Sequence, residues 1–459
     1  MNPLMDVLLV NPPREVPQKA DFPPIGLAYI CAVLKKEGIS AGVLDACAFT
    51  WRKLAKLLAA KSPRIVGVPC WTLERACAFT TARLVRSVLP QARIVMGGHH
   101  ATSFPQHMFA KASADAVVLG EGEVTMLALA RTMLAGGDVA SVRGIAYLRD
   151  GQVRCTGPRE LVAELDSLPY PSYEEFDLDD YLGLPEVSGR SGCVITSRGC
   201  PQACVFCSGS VFWRRKWRAR SAENVLGELQ WLHDRHGVRN VIFFDDNFAV
   251  SKDRAMAICR GIIERKLRIN WVASSHVTQV DGELLQWMRR SGCYRIDFGV
   301  ESGSPRVLRD IRKGQTTEQI ERAFRLAHEA GIKPRAFLVV GSPGESIRTV
   351  DETVALARRI RPYDSGAAGI MWVLPDTALY ESAKAGGLLT DGTWLDTDET
   401  IYYTCEHNLA ELEALRDRLI RGLARSQGTF KAAAEYWARK AYYRFPRLQK
   451  LRRLRRLFA

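Results

Sequence analysis

The chain reads as an α/β protein: two sheet-bearing domains in tandem, followed by a helical C-terminal region. Three observations carry this reading. Short β-rich runs alternate with amphipathic helical stretches twice, over residues 5–125 and again from about residue 190. The runs are almost continuously apolar, the pattern of parallel strands covered on both faces. A Pro-containing acidic stretch, LDSLPYPSYEEFDLDDY (165–181), separates the two alternations. We therefore divide the chain into 1–140, a linker at 141–189, a second domain at 190–375 and a helical region at 376–459.

The first alternation supplies DVLLVN (6–11), AGVLD (41–45), IVGVPC (65–70), RIVMGG (93–98) and AVVLG (116–120), with helices such as GLAYICAVLKKEG between them. Five such units predict an open, doubly wound (Rossmann-like) sheet, which takes ligands at the C-terminal ends of its strands. Those ends carry Asn11-Pro12-Pro13, Asp45, Cys70-Trp71, Gly97-Gly98-His99-His100 and Gly120-Glu121-Gly122-Glu123. Paired glycines after a strand let a large ligand approach the backbone. No Gly-x-Gly-x-x-Gly or phosphate loop is present, which argues against a nucleotide. In the linker, GIAYLRDGQVR (144–154) predicts a hairpin around Asp150-Gly151.

The second alternation runs through GCVITS (192–197), NVIFFDD (240–246), INWVASS (269–275), YRIDFGVE (294–301), PRAFLVVG (334–341) and AAGIMWVL (367–374). Six units are too few for a closed eight-stranded barrel. They predict a partial (β/α)6 TIM-type barrel whose open side admits a large substrate.

Composition is that of a globular protein, 47% hydrophobic and 25% charged. The formal charge of +14 is uneven. Residues 431–459 hold ten Lys or Arg against Glu435, a net +9, so the remaining chain carries only +5. That balance excludes a polyanion-binding body. Met1 runs straight into a strand with no secretory leader, and no apolar run reaches the ~18 residues of a membrane span. Twelve scattered cysteines do not form a disulfide framework. A reducing cytoplasm is the expected compartment.

The chemistry lies in SRGCPQACVFCSG (197–209), directly after the first strand of the second alternation. Barrel enzymes place catalytic groups on such top-face loops. Three thiolates at Cys200, Cys204 and Cys207 can hold three irons of a cubane 4Fe–4S cluster and leave the fourth open. A structural zinc site would need a fourth ligand, and no neighbouring Cys or His offers one.

Cys-x-x-x-Cys-x-x-Cys with an aromatic, Phe206, before the last cysteine resembles the radical S-adenosylmethionine (SAM) superfamily. The resemblance covers about 190–375, and residues 5–135 resemble the cobalamin-binding domain that precedes the barrel in its largest subfamily. It implies that the open iron is chelated by SAM, whose cleavage gives a 5′-deoxyadenosyl radical able to abstract hydrogen from an unactivated carbon. It implies cofactor roles for Asp245, Asp246 and Asn247 in FFDDNF (243–248). The same holds for Glu301 and Ser302 in GVESGS (299–304), and for Gly341 and Gly344 in VVGSPGES (339–346). In the first domain it implies a cobalamin site at Asp45, Trp71, Gly97, Gly98, His99, His100, Gly120, Glu121 and Gly122. The Asp-x-His-x-x-Gly motif that ligates cobalt in many cobalamin proteins is absent, and Cys47 stands where its His would be. That leaves the lower cobalt ligand open, with Trp71 and a vacant face as candidates. His99 and His100 read equally as contacts to the corrin and as satisfied strand-end residues.

The resemblance implies methyl transfer from methylcobalamin to an unactivated carbon of a small-molecule or lipid-like substrate, with flavodoxin or ferredoxin as electron donor. Cyclisation or rearrangement by the same parts is the first alternative. A cobalamin-free radical enzyme or a tRNA methylthiotransferase is the second. Cys31, Cys47, Cys70 and Cys77 lack the methylthiotransferase pattern, and nucleic acid is not an expected partner. His276, where the family often has Arg, faces substrate or is a core substitution. Tyr403 and Cys405, in TIYYTCEHN (400–408), are candidates to close over the site. In the tail, Leu448, Leu451, Leu454 and Leu457 form a stripe among cations. On a helix this suits peripheral contact with the inner face of a membrane or docking on the protein's own barrel.

Overall fold

The computed structural model describes residues 5–364, 368–397 and 399–426. The basic tail with its leucine stripe lies outside the described residues.

The first domain forms a sheet from β1 (Val7–Asn11), β2 (Ala41–Asp45), β3 (Ile65–Pro69), β4 (Arg93–Gly97) and β5 (Ala116–Val118). These five run parallel, in the order β2-β1-β3-β4-β5. Leu8, Val10, Val66, Val68, Ile94 and Met96 face one apolar layer, while Val7, Leu9, Ile65 and Val95 face the other. Burial on both faces is why the runs carry no polar alternation. The hairpin predicted for the linker, β6 (Ile145–Arg149) and β7 (Gln152–Cys155), is not a free connector. It adds to the edge of this sheet, with β6 antiparallel to β5 through Val118↔Ile145 and Ala116↔Tyr147. Strand β5 has only three residues, and its open backbone edge is satisfied by the next segment of chain.

The second domain contains β8 (Ser191–Val194), β9 (Ser197–Arg198), β10 (Arg218–Ala219), β11 (Asn240–Phe243), β12 (Asn270–Ser275), β13 (Cys293–Glu301), β14 (Lys333–Val340) and β15 (Ala368–Ile370). Six of these pair in strictly sequential parallel order, β8-β11-β12-β13-β14-β15, and the sheet stays open. Helices cover its outer face, where Val241, Phe243, Trp271, Ala273, Phe298 and Leu338 meet Leu229, Ile258, Leu284 and Phe324. By alternation Ile242, Phe244, Phe337 and Val339 point to the inner face. Phe244 and Phe337 remain 42% and 36% exposed there, so the inner face is lined but not filled. Its lower end is closed by charge: Glu186 pairs with Arg295 and Arg335, and Arg295 with Asp297 at 2.9 Å.

The C-terminal region joins the two domains. Its helix Leu409–Ser426 buries Leu412, Leu415 and Leu419 against the barrel. The preceding residues form a small core, Met371, Val373, Leu379, Tyr380, Trp394 and Tyr403, that also takes Phe104 of the first domain and Val205 and Phe206 of the cysteine loop. Arg75, fully buried, donates to the Thr72 carbonyl (2.7 Å) within its own domain and crosses the same boundary by donating to the carbonyls of Trp394 (3.2 Å) and Glu399 (2.8 Å).

Candidate active site

The cysteine loop is a closed excursion. It leaves the barrel after β9 and returns as β10, which pairs antiparallel with β9 through Arg198↔Arg218 and Ser197↔Ala219. Gly199, φ +86°, opens it. Cys204 is buried, and Cys200 and Cys207 are partly exposed. Cys207 N–H donates to the Cys204 carbonyl at 3.3 Å, and Cys207 leads into the short helix Ser208–Phe212. Val205 is held on both sides: its N–H donates to Ile311 O at 3.1 Å, and its carbonyl accepts from Leu379 N–H at 2.9 Å. Phe206 packs into the C-terminal core.

Burial pushes the Cys204 thiol up to about 11, with the Lys313 ammonium acting against that shift. Burial also raises Cys207. A bound iron would displace those protons, because the thiolate is the ligand. Among the described residues no three Cys, His, Asp or Glu side chains gather tightly enough for one metal ion. A cubane puts each thiolate on a different iron, so its ligands need not converge as those of a single ion do. Three thiols on one loop, with no fourth, fit such a cluster.

The residues expected to surround the cofactor divide into those at the loop and those that brace it. Asp245 is buried and accepts from Thr196 N–H (2.7 Å), the Thr196 hydroxyl and the Ser197 hydroxyl (2.6 Å); it holds the turn that launches the loop. Asp246 accepts from Gly199 N–H at 3.0 Å. The Asn247 amide lies 3.9 Å from Cys200 Sγ, and its oxygen accepts from the Ser275 hydroxyl and His276 N–H. Glu301 ends β13 in left-handed backbone, φ +63°, a strained conformation that a packed surrounding must hold. Ser302 turns away, toward Thr353 at 3.2 Å. Gly344 N–H donates to Glu406 at 2.8 Å. A Cβ on Gly341 would lie 2.9 Å from Leu412, so the C-terminal helix presses on this loop.

His276 is walled in. Its Nε2 meets the Lys313 carbonyl at 2.9 Å and its Nδ1 the Thr278 hydroxyl at 2.7 Å. Burial lowers it to about 4, so it is neutral and its Nε2–H donates. Tyr403 lies in the C-terminal core with its N–H on Met371 O (3.0 Å), and Cys405 is exposed.

Sequence reasoning missed Lys313. It is buried, it donates to Glu301 at 2.8 Å, and its charge acts on Cys204 and Cys207. It also missed Arg198 and Arg218. The first pairs with Glu121 at 2.6 Å and with Glu123, and the second with Glu121 at 3.0 Å. The loop after β5 presents its carboxylates to the two arginines that flank the cysteine loop. The signal was the clustering of Arg198, Arg218 and Arg220 around three cysteines, with no acid within that stretch.

At the C-terminal ends of β3, β4 and β5 a cleft of ≈ 280 Å³ opens between the domains, bordered by His99, Gly120, Glu121, Arg159, Phe212 and Asp376. Gly120, φ +77°, faces open space where a Cβ would stand, and its N–H donates to Thr102. Gly98, φ +99°, lies so close to Cys70 that a Cβ would sit 3.0 Å from the Cys70 carbonyl. Trp71, 50% exposed, stacks on His99 at 4.6 Å, and His99 stacks on Phe212 at 4.1 Å. Burial lowers His99 to about 4, leaving a neutral flat ring. A glycine-edged cleft with planar walls fits a corrin edge. His100 is different: fully buried, it meets His107 at 3.3 Å inside the domain. Asp45 is engaged by Asn11 (2.9 Å) and by the Tyr181 hydroxyl (2.9 Å).

Known proteins resemble this chain along most of its length. Residues 194–357 match the radical SAM superfamily, and residues 18–130 match the B12 binding domain. An uncharacterised methyltransferase of Pyrococcus horikoshii is 35% identical over 400 residues, covering 85% of this chain and 86% of its own. The cytidylyl-2-hydroxyethylphosphonate methyltransferase of Streptomyces wedmorensis is 30% identical over 454 residues, covering 86% and 84%. The fold is shared with the radical SAM methyltransferase TsrM of Kitasatospora setae, solved with tryptophan and a SAM analogue, at a TM-score of 0.70 and 20% identity over 84% of this chain and 77% of that one. A three-thiol loop on an open parallel barrel, a glycine-edged sheet facing it and kinship along most of the length lead to one conclusion: the chain belongs to the radical SAM superfamily, in the group whose barrel is preceded by a B12-binding domain.

Proposed function

We propose that the enzyme transfers a methyl group from methylcobalamin to an unactivated carbon of a small-molecule substrate. The observation that carries this reading is the ion-paired bridge from Arg198 and Arg218 to Glu121 and Glu123. It ties the loop that carries the thiols to the loop at the corrin cleft, so both cofactors address one space. Bound there, the cluster with SAM supplies the hydrogen-abstracting radical, and cobalamin supplies the methyl group.

The chain's own part is orientation and exclusion of water. Asp245, Asp246 and Asn247 fix the cysteine loop. Lys313 holds Glu301 against the barrel mouth. The inner barrel wall offers Ile242, Phe244 and Phe337, and Phe22 of the first domain stacks edge-on to Phe244 at 5.3 Å. Such a wall suits a substrate with an apolar body. The leucine stripe of the tail supports delivery of a lipid-like substrate from a membrane surface. Among the described residues no helix is long and apolar enough to cross one.

The test is anaerobic reconstitution with iron, sulfide and hydroxocobalamin, followed by SAM bearing a trideuterated methyl group and a reductant. Retention of about one corrinoid per chain through gel filtration, with 5′-deoxyadenosine formed, supports the reading. An intact cluster in a protein that retains no corrinoid defeats it.

A further inference from the structure

The turn that follows the cysteine loop carries exposed charge that the proposed chemistry leaves unused. After Phe212 the chain passes through Trp213, Arg214, Arg215, Lys216 and Trp217 before returning as β10. Arg214, Arg215 and Lys216 are exposed, and among the described residues none of them forms an ion pair. Their neighbours Arg198, Arg218 and Arg220 are buried or nearly so and are paired with Glu121, Glu123 and Glu228. The inner arginines are neutralised, and the outer three cations are left to solvent.

The turn is also packed against the cysteine loop. Arg214 and Arg215 both hold left-handed backbone, φ +51° and +55°, a geometry that costs a non-glycine residue on the order of 1 kcal/mol and persists only where packing imposes it. A Cβ on Gly199, next to Cys200, would lie 2.2 Å from the Lys216 carbonyl and 3.0 Å from Trp213. Arg215 N–H donates to Ser210 O at 3.0 Å. A Cβ on Gly209 would lie 3.5 Å from Cys207 Sγ and 3.8 Å from the Trp213 ring. Packed protein therefore runs unbroken from the cysteine loop to a surface of three unpaired cations.

We propose that Arg214, Arg215 and Lys216 form the docking face for a small acidic one-electron carrier. The proposal rests on the radical SAM reading of the cysteine loop. The reduced flavin or iron–sulfur centre of the carrier passes one electron to the oxidised cluster and leaves oxidised by one electron; no proton or group moves with it. Opposite charge steers such an encounter and raises its rate more than its affinity. The small excess of +5 outside the tail provides no extended basic track of the kind nucleic acid uses. Because Arg214 also borders the interdomain cleft, an anionic group of the corrin tail is the competing occupant.

The test compares the reconstituted protein with an Arg214→Asn/Arg215→Asn/Lys216→Ser variant, Asn being tolerant of left-handed backbone. Bleaching of the cluster absorbance is followed by stopped flow with a reduced acidic flavodoxin at low and high salt, and with a photoreduced neutral deazaflavin. Binding of the oxidised flavodoxin is measured in parallel. For the native protein the flavodoxin rate should fall steeply with salt. The variant should be about tenfold slower at low salt and less sensitive to salt, bind flavodoxin more weakly, and react with deazaflavin at the native rate. Equal flavodoxin rates in the two proteins would overturn the proposal, as would an equal loss with deazaflavin. So would a variant that releases hydroxocobalamin yet accepts electrons from flavodoxin normally, which would give the cations to the corrin tail. A native protein with no reducible cluster would instead overturn the radical SAM reading itself.

Discussion

Lys313 and Glu301 form a buried ion pair at 2.8 Å, and through it the fourth barrel strand reaches the cysteine loop. Glu301 ends β13. Lys313 sits on a segment whose Ile311 carbonyl accepts from Val205 and whose own carbonyl accepts from His276. Burial works against the charge of Lys313, but Glu301 and the nearby thiols outweigh it and raise its pKa.

Removing that cation leaves a buried carboxylate without a partner. Lys313→Met should destabilise the protein by about 3–5 kcal/mol, and adding Glu301→Gln should recover most of the loss. A cluster loaded into the double variant should be harder to reduce, because the Lys313 charge acts on Cys204 more strongly than the opposing Glu301 charge does, and losing both removes a net positive influence. Denaturant unfolding and an EPR-monitored redox titration read the two effects; an unchanged potential would confine Lys313 to a structural role.

Cys200→Ala, Cys204→Ala or Cys207→Ala should each abolish cluster absorbance and 5′-deoxyadenosine formation. Cys259→Ala and Cys293→Ala remove thiols buried in the outer core and should leave the cluster in place. Full iron occupancy in the Cys204→Ala protein would end the cluster assignment.

The bridge between the domains should be cooperative. Arg198→Ala leaves Glu123 without its arginine partner at a cost of about 3–5 kcal/mol. Calorimetry should then resolve two transitions where the native protein gives one. A single transition at the native temperature would mean that the C-terminal region alone holds the domains together.

Glu345 gives a pH dependence with a definite sign. Burial raises its carboxyl to about 7, partly offset by the Thr349 hydroxyl. A raised carboxyl binds its proton more tightly folded than unfolded. Its contribution is therefore full below about pH 4.5 and is lost as pH rises to about 7, a change on the order of 3 kcal/mol. Thermal melts from pH 5 to 8 should show this decline, and Glu345→Gln should flatten it. Since His407 contacts the Glu345 carbonyl at 2.9 Å, the decline should loosen the C-terminal segment first.

The two domains were legible in sequence because parallel strands covered on both faces leave nearly unbroken apolar runs, and the three thiols were legible because their spacing is local. What escaped is non-local. Lys313 lies twelve residues beyond Glu301, past a helical turn, and only the folded segment aligns them. Arg198 meets Glu121 and Glu123 across a separation of 77 and 75 residues. The depth of His276 and His100 stayed open in the sequence, because a strand-end residue can turn outward or be overlaid by the next loop. The hairpin around Asp150-Gly151 was seen as a hairpin; that it completes the first sheet depended on the short, open edge of β5.

The ladder between β9 and β10 bears on how the iron site is assembled. Bringing the ends of a loop together costs entropy that grows slowly with its length, and in small metal-dependent folds the metal itself supplies that closure. Here two backbone pairings and the arginine bridge close the loop without it. The apoprotein should therefore offer iron and sulfide a folded receptacle, and a chelator should strip the metal from a chain that keeps its shape.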